Sequence, residues 1–333
     1  MFQPFKPKPG QENNFSFGLT PSYLFRLYTP NSAGYTDVNH VASPACCIED
    51  PSQKDTEGYD CNMDLLQLPP VQAAKRLSAH LEWKCQNGRP CNLMSWSSSL
   101  LFLLQYGLYR HTIDFERPAL SDIHLIMIDT RDFPRQTFLR DLDAMNHFKG
   151  YCSELDARRE GRLGCWYFGE YLTQGNLHIL GKSSRVSMQQ LIDLGLFTVC
   201  PDLNKPEKKW DRWAFSVLDI RRKLRQPHVL YQQKMRTAMA MAQVSIEDRF
   251  IIPLSLMLIA LQGPQPDKDI VVNAFRAMFT ELELSLGDVK YDLRSDQMVD
   301  LELFKEMMES VRTHPPDDSL TQISESFQRL LDN

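Results

Sequence analysis

Apolar positions along the chain alternate between two periods, and the changes of period mark the elements. From Tyr23 to Tyr28 (YLFRLY) aromatic and aliphatic residues surround Arg26 in the pattern of a strand, which Thr29-Pro30-Asn31-Ser32 and Gly34 bring to an end. Pro69-Pro70 then opens a helix, because Val71, Ala74, Leu77 and Leu81 recur every three to four residues as far as about Cys85. Asn87-Gly88-Arg89-Pro90 reads as the turn behind it. A short strand is expected over residues 92–96, and Ser97-Ser98-Ser99 caps a second apolar helix over 100–110. The run IHLIMID at 123–129 has the unbroken hydrophobicity of a central strand. Residues 135–161 read as charged helix, Gly161 and Gly164 as breakers, and 165–173 as an aromatic-rich strand. Gly175 turns that strand into a hairpin partner at 176–180, and a short helix follows over 187–197.

The character changes after Pro201. Residues 205–225 are basic and carry Trp210 and Trp213, and helical patterns follow at 228–242, 245–261, 268–286, 299–312 and 320–331. Residues 1–19, rich in Pro, Asn and charge without periodicity, read as a disordered arm, and 43–58 as a surface loop. The expected organisation is therefore an arm at 1–19, an α/β domain at 20–200 and a helical C-terminal domain at 201–333.

Composition narrows the function classes. With 43% hydrophobic and 24% charged residues the 333-residue chain can bury a full core. A net charge of −5 provides no positive field for a phosphate backbone, so no nucleic-acid partner is expected. The first residues lack the apolar core of a signal peptide, and the run FIIPLSLMLIAL is far shorter than a bilayer requires. An intracellular protein, cytoplasmic or nuclear, with no membrane partner is the expectation; the pattern sets no oligomeric state. The eight cysteines read as reduced thiols. His80, Cys85 and Cys91 come nearest to a metal pattern, but their spacing is not the short knuckle of zinc sites and no second pair follows, so no metal is expected. Phosphate-loop, nucleophile-elbow, zinc-protease and kinase signatures are absent from the sequence.

Three points remain: Arg26 on the first strand, Ser95-Trp96-Ser97-Ser98 at a strand-to-helix junction, and Glu170 within WYFGEYLTQG. Their order resembles the Arg, Ser-x-Ser, Glu arrangement of one class of ADP-ribosyltransferases. That resemblance implies an α+β fold in which a split mixed β-sheet with flanking helices holds NAD between its halves. It implies that Arg26 pairs with NAD phosphate, that Ser95 and Ser97 brace the cleft, and that Trp96 fills it or stacks on nicotinamide. Glu170 is then the catalytic group, stabilising the oxocarbenium-like transition state as nicotinamide leaves. The implied activity is NAD-dependent ADP-ribosyl transfer to an unknown protein acceptor, or NAD hydrolysis. Phe168 stands where arginine-modifying members carry a second Glu or Gln, so arginine is not the implied acceptor.

A second resemblance spans more of the chain. YLFRLYTPNSAG, SWSSSLLFLLQYGLYR and WYFGEYLTQGNLHILG followed by LIDLGLF are similar to an uncharacterised fungal domain family of unknown function covering about residues 20–200. It implies a lineage and a boundary but no activity. The alternative to the enzyme is a non-catalytic binding or regulatory module on the same scaffold.

Overall fold

A computed structural model describes residues 3–47, 61–86, 91–204, 213–226, 232–264, 272–273, 275 and 288–313. The chain divides into two compact units: residues 1–188 with 290–293, and residues 189–289 with 294–333. The first unit thus ends near 188 rather than 200, and it recovers four residues from the region read as helical domain.

Unit 1 is built on a six-stranded sheet of order β6-β7-β4-β1-β5-β9. Its strands are β1 (Tyr23–Tyr28), β4 (Leu93–Ser97), β5 (His124–Asp129), β6 (Leu139–Arg140), β7 (Glu170–Gln174) and β9 (Ser183–Ser187). A smaller sheet joins β2 (Tyr35–Thr36), β3 (His40–Ala42) and β8 (Asn176–His178) in the order β2-β3-β8. Every pairing among the described strands is antiparallel, so the sheet is not mixed as the resemblance implied. The expected hairpin at Gly175 is also corrected. Asn176–His178 leaves the large sheet and pairs with β3, His40 opposite His178, because Gly175 ties to Ser43 and Asn92 at this corner.

The central pair is β1 with β5, in register from Tyr23↔Asp129 to Tyr28↔His124. β4 and β7 pair equally fully, from Leu93↔Gln174 to Ser97↔Glu170. Between these halves β1 and β4 meet at one register pair, Phe25↔Ser97, so the sheet splays along a seam. Alternate residues of a strand face opposite sides. Leu24, Tyr28, Met94, Trp96, Ile126 and Tyr171 accordingly form one core face, closed by Val41 and Leu177 of the small sheet.

Helix α1 (Pro70–Leu81) starts at the expected proline and buries Ala73, Ala74, Leu77 and Leu81. Helix α2 (Leu100–Thr112) is capped as expected: Phe102 N donates to the Ser99 hydroxyl at 3.2 Å. The region read as one charged helix contains strand β6, then α3 (Asp141–His147) and α4 (Ser153–Leu163). The segment read as an arm is packed. Phe5, Phe15 and Phe17 are buried, and Lys6 N and Ser16 N donate to Asp64 and Asp143. Aromatic residues spaced among prolines were its overlooked signal, since each buries enough apolar surface to hold an irregular backbone.

Past the boundary lie two short helices, α5 (Met188–Asp193) and α6 (Leu196–Val199), then α7 (Trp213–Leu224), α8 (Gln232–Ser245), α9 (Asp248–Ala260) and α10 (Val299–Thr313). α9 is buried from Phe250 to Ala260, as its unbroken hydrophobicity requires, and a buried Arg221–Asp300 ion pair at 2.8 Å joins α7 to α10. No described helix is long and apolar enough to cross a membrane. The expected helices at 268–286 and 320–331, the turn at 87–90, most of the 43–58 loop and the stretch 205–212 lie largely or wholly outside the described residues.

Candidate functional site

The seam between β1 and β4 brings the resemblance-derived residues to one place. Arg26, Ser95, Trp96, Ser97 and Glu170 all border a cavity of about 170 Å³ roofed by α2. Their polar groups are nonetheless directed at the protein itself. Arg26 donates from Nη1 to the Ser95 carbonyl at 2.9 Å, a main-chain acceptor that the splayed β1 leaves available. Its Nε is buried and has no hydrogen-bond partner among the described residues, and burial lowers the guanidinium to about 10. Trp96 is a core residue, its indole N–H donating to the Thr173 hydroxyl at 2.9 Å and its ring set edge-on to Phe138. The Ser97 hydroxyl donates to the Phe168 carbonyl at 2.7 Å. Phe168 in turn stacks on Phe102 at 4.9 Å between ring centroids.

Glu170 begins β7 and is largely buried. Its carboxylate is ion-paired with Arg162 of α4, and Arg162 also meets Asp141 of α3 at 3.1 Å. One guanidinium therefore serves two carboxylates. Burial raises Asp141 to about 6 against the opposing pull of Arg162. By strand alternation Arg26 starts from the face of Leu24 and Tyr28 and Glu170 from the opposite face, that of its register partner Ser97, although both border the same cavity at the seam.

Beside this network lies a carboxylate that pattern reading missed. Asp292, on the segment that returns to unit 1, accepts from Ser98 Oγ at 2.9 Å, Tyr171 OH at 3.1 Å and Tyr167 OH at 3.3 Å. Neighbouring backbone fixes the segment, Ser22 N donating to Lys290 O and Lys290 N to Ser22 Oγ. Burial and the nearby carboxylate push both tyrosines well above the ordinary phenol range.

Two further features sit at the β4 end of α1. The first is a cavity of about 640 Å³, walled by Met63, Leu65, Leu68 and Leu93, with Lys75 and Arg76 of α1 on its border. The second is a cluster of ligand-type atoms. His80 in the last turn of α1, Cys85 in the turn Lys84–Gln86 and Cys91 ahead of β4 bring a ring nitrogen and two sulfurs within 4.8 Å of one another. Trp83, at φ 58, is a non-glycine residue in the left-handed region and reverses the chain between His80 and Cys85. Ser95, expected to brace NAD, bonds instead to His80, Oγ to Nε2 at 2.9 Å.

No family model, curated protein or solved structure matches this chain.

Proposed function

We propose that unit 1 is a non-catalytic binding module whose ligand is a small organic anion with an apolar body, held in the cavity between α1 and β4. The observation that carries this reading is one of size. At about 640 Å³ this cavity falls inside the roughly 300–1,000 Å³ of small-molecule sites, and the seam cavity of about 170 Å³ falls below it. Aliphatic side chains suit an apolar body, and Lys75 and Arg76 supply the positive charge that an acid head requires.

A second reading, NAD cleavage with Glu170 as the catalytic carboxylate, is favoured by one observation. The buried, unpartnered Arg26 Nε borders the seam, where a phosphate oxygen would satisfy it. Against it stand the engaged Ser97, Trp96 and Glu170 side chains.

Calorimetry with decanoate and decanol, run beside an assay of nicotinamide release from NAD, separates the two. The binding reading expects decanoate to bind, Ala79→Trp to abolish binding by filling the cavity, and Lys75→Glu to weaken decanoate by roughly fivefold while sparing decanol. Failure of the folded protein to bind either compound removes it. Nicotinamide release that disappears in Glu170→Gln establishes the enzyme instead.

A further inference from the structure

His80, Cys85 and Cys91 offer one nitrogen and two sulfurs, a donor set of the kind zinc takes. In a tetrahedron with ordinary Zn–N and Zn–S bonds the N···S edges are roughly 3.6 Å and the S···S edge roughly 3.8 Å. The three atoms already lie within 4.8 Å, with His80 Nδ1 3.2 Å from Cys91 Sγ, so small side-chain adjustments complete the geometry.

The surroundings are those that a metal centre uses. With its proton on Nε2, His80 donates to the Ser95 hydroxyl at 2.9 Å, which leaves the Nδ1 lone pair directed at the two sulfurs. Cys91 Sγ accepts a hydrogen bond from Leu93 N at 3.3 Å, an N–H···S contact that stabilises a thiolate. Three points hold the set: the end of α1, the turn at Trp83, and the entry to β4, where Ala45 N donates to the Cys91 carbonyl at 3.1 Å. None of these contacts is needed by the ligand cavity or by the NAD reading.

We propose that His80 Nδ1, Cys85 Sγ and Cys91 Sγ form a zinc site in which Ser95 is the positioning residue for the imidazole. Three protein ligands leave the fourth tetrahedral position to water or another small ligand, on the side of the two cavities that Cys85 and Cys91 both border. Binding releases the thiol protons and replaces the hydrogen bonds within the cluster with metal–ligand bonds. The three protein ligands do not depend on what occupies the larger cavity, although Cys85 and Cys91 border it.

The test uses the full chain, purified without added metal or chelator. Elemental analysis is expected to find equimolar zinc, lost in Cys85→Ser and in Cys91→Ser and retained in Cys165→Ser, whose thiol is exposed and outside the cluster. After chelation, Co²⁺ should restore the thiolate-to-cobalt charge-transfer band and the intense visible bands of a tetrahedral ion. Ser95→Ala, which keeps all three ligands, should weaken Zn²⁺ by roughly 10- to 100-fold in competition titrations. A wild-type Co²⁺ spectrum without thiolate charge transfer would overturn the proposal whether or not the cysteine variants fold. So would recovery of Cys85 and Cys91 as a mutual disulfide, or zinc retained in the double serine variant.

Discussion

Gly169 shows how one residue sets the geometry ahead of Glu170. At φ +70 it occupies the left-handed region, and a Cβ there would lie 1.9 Å from the Ser98 hydroxyl oxygen. Ser98 cannot easily give way, since its hydroxyl also donates to Asp292. Gly181 has nearly the same backbone, φ +68, but a Cβ would meet nothing within 4 Å. Gly181→Ala should therefore cost only the backbone term, about 1 kcal/mol. Gly169→Ala should cost at least about 2 kcal/mol more, because the hydroxyl must move off a buried carboxylate. Urea midpoints of the two variants decide it; equal losses would show that the Ser98 contact imposes nothing. Sequence alone places Gly169 inside an expected strand over 165–173 and Gly181 in no element. It cannot rank them, because the difference lies in a side chain 71 residues away.

At the scale of elements, α3, α4 and β7 are tied through Asp141, Arg162 and Glu170. Asp141 is raised by burial from the usual aspartate range to about 6. The folded protein therefore holds a proton between about pH 4 and pH 6 that the unfolded chain has released, and this group's contribution to stability falls as pH rises through that window. Two pH units are worth about 3 kcal/mol at most. Asp141→Asn, which cannot titrate, should gain on the wild type by up to that amount between pH 4 and pH 7. Chemical denaturation at the two pH values tests this, and a constant difference between the proteins removes the assignment. The strands and helices themselves were largely legible: β1, β4, β5, α1 and α2 stand within a few residues of where alternation, proline and serine caps put them. β8 departs from the expected hairpin because a short strand after Gly175 carries no mark of which sheet it will join. Glu170 was legible as a strand carboxylate, but its partner Arg162 was not, since the pairing comes from the packing of α4.

Across the whole molecule, the division of the chain does not follow a single cut. Residues 290–293 belong to unit 1 although long stretches on either side of them do not. Two contacts tie the segment to unit 1: Lys290 pairs with Ser22, and the buried carboxylate of Asp292 accepts three hydroxyl hydrogen bonds. Asp292→Ala strands those hydroxyls and should destabilise unit 1 by about 2–4 kcal/mol. Hydrogen exchange of amides in β4 and β7, remote in sequence from the substitution, should accelerate accordingly. Unchanged protection there would mean that the segment is not part of that unit's structure.

Local pattern was enough to determine an α+β first unit with a helical remainder, the burial of residues 250–261 and several of the chemically able residues, Arg26, Ser95, Ser97 and Glu170 with His80, Cys85 and Cys91, though not Asp292 or Arg162. These follow from periodicity and caps, which act over a few residues. Tertiary structure decided what each residue faces. It brought Arg26 and Glu170 from opposite strand faces to the border of one seam cavity, gave Ser95 to His80, and closed His80, Cys85 and Cys91 into one cluster across spacings that match no linear motif. A left-handed residue at Trp83 and the entry to β4 made that closure. Ligand sets are distances in space, and only packing converts chain separation into distance.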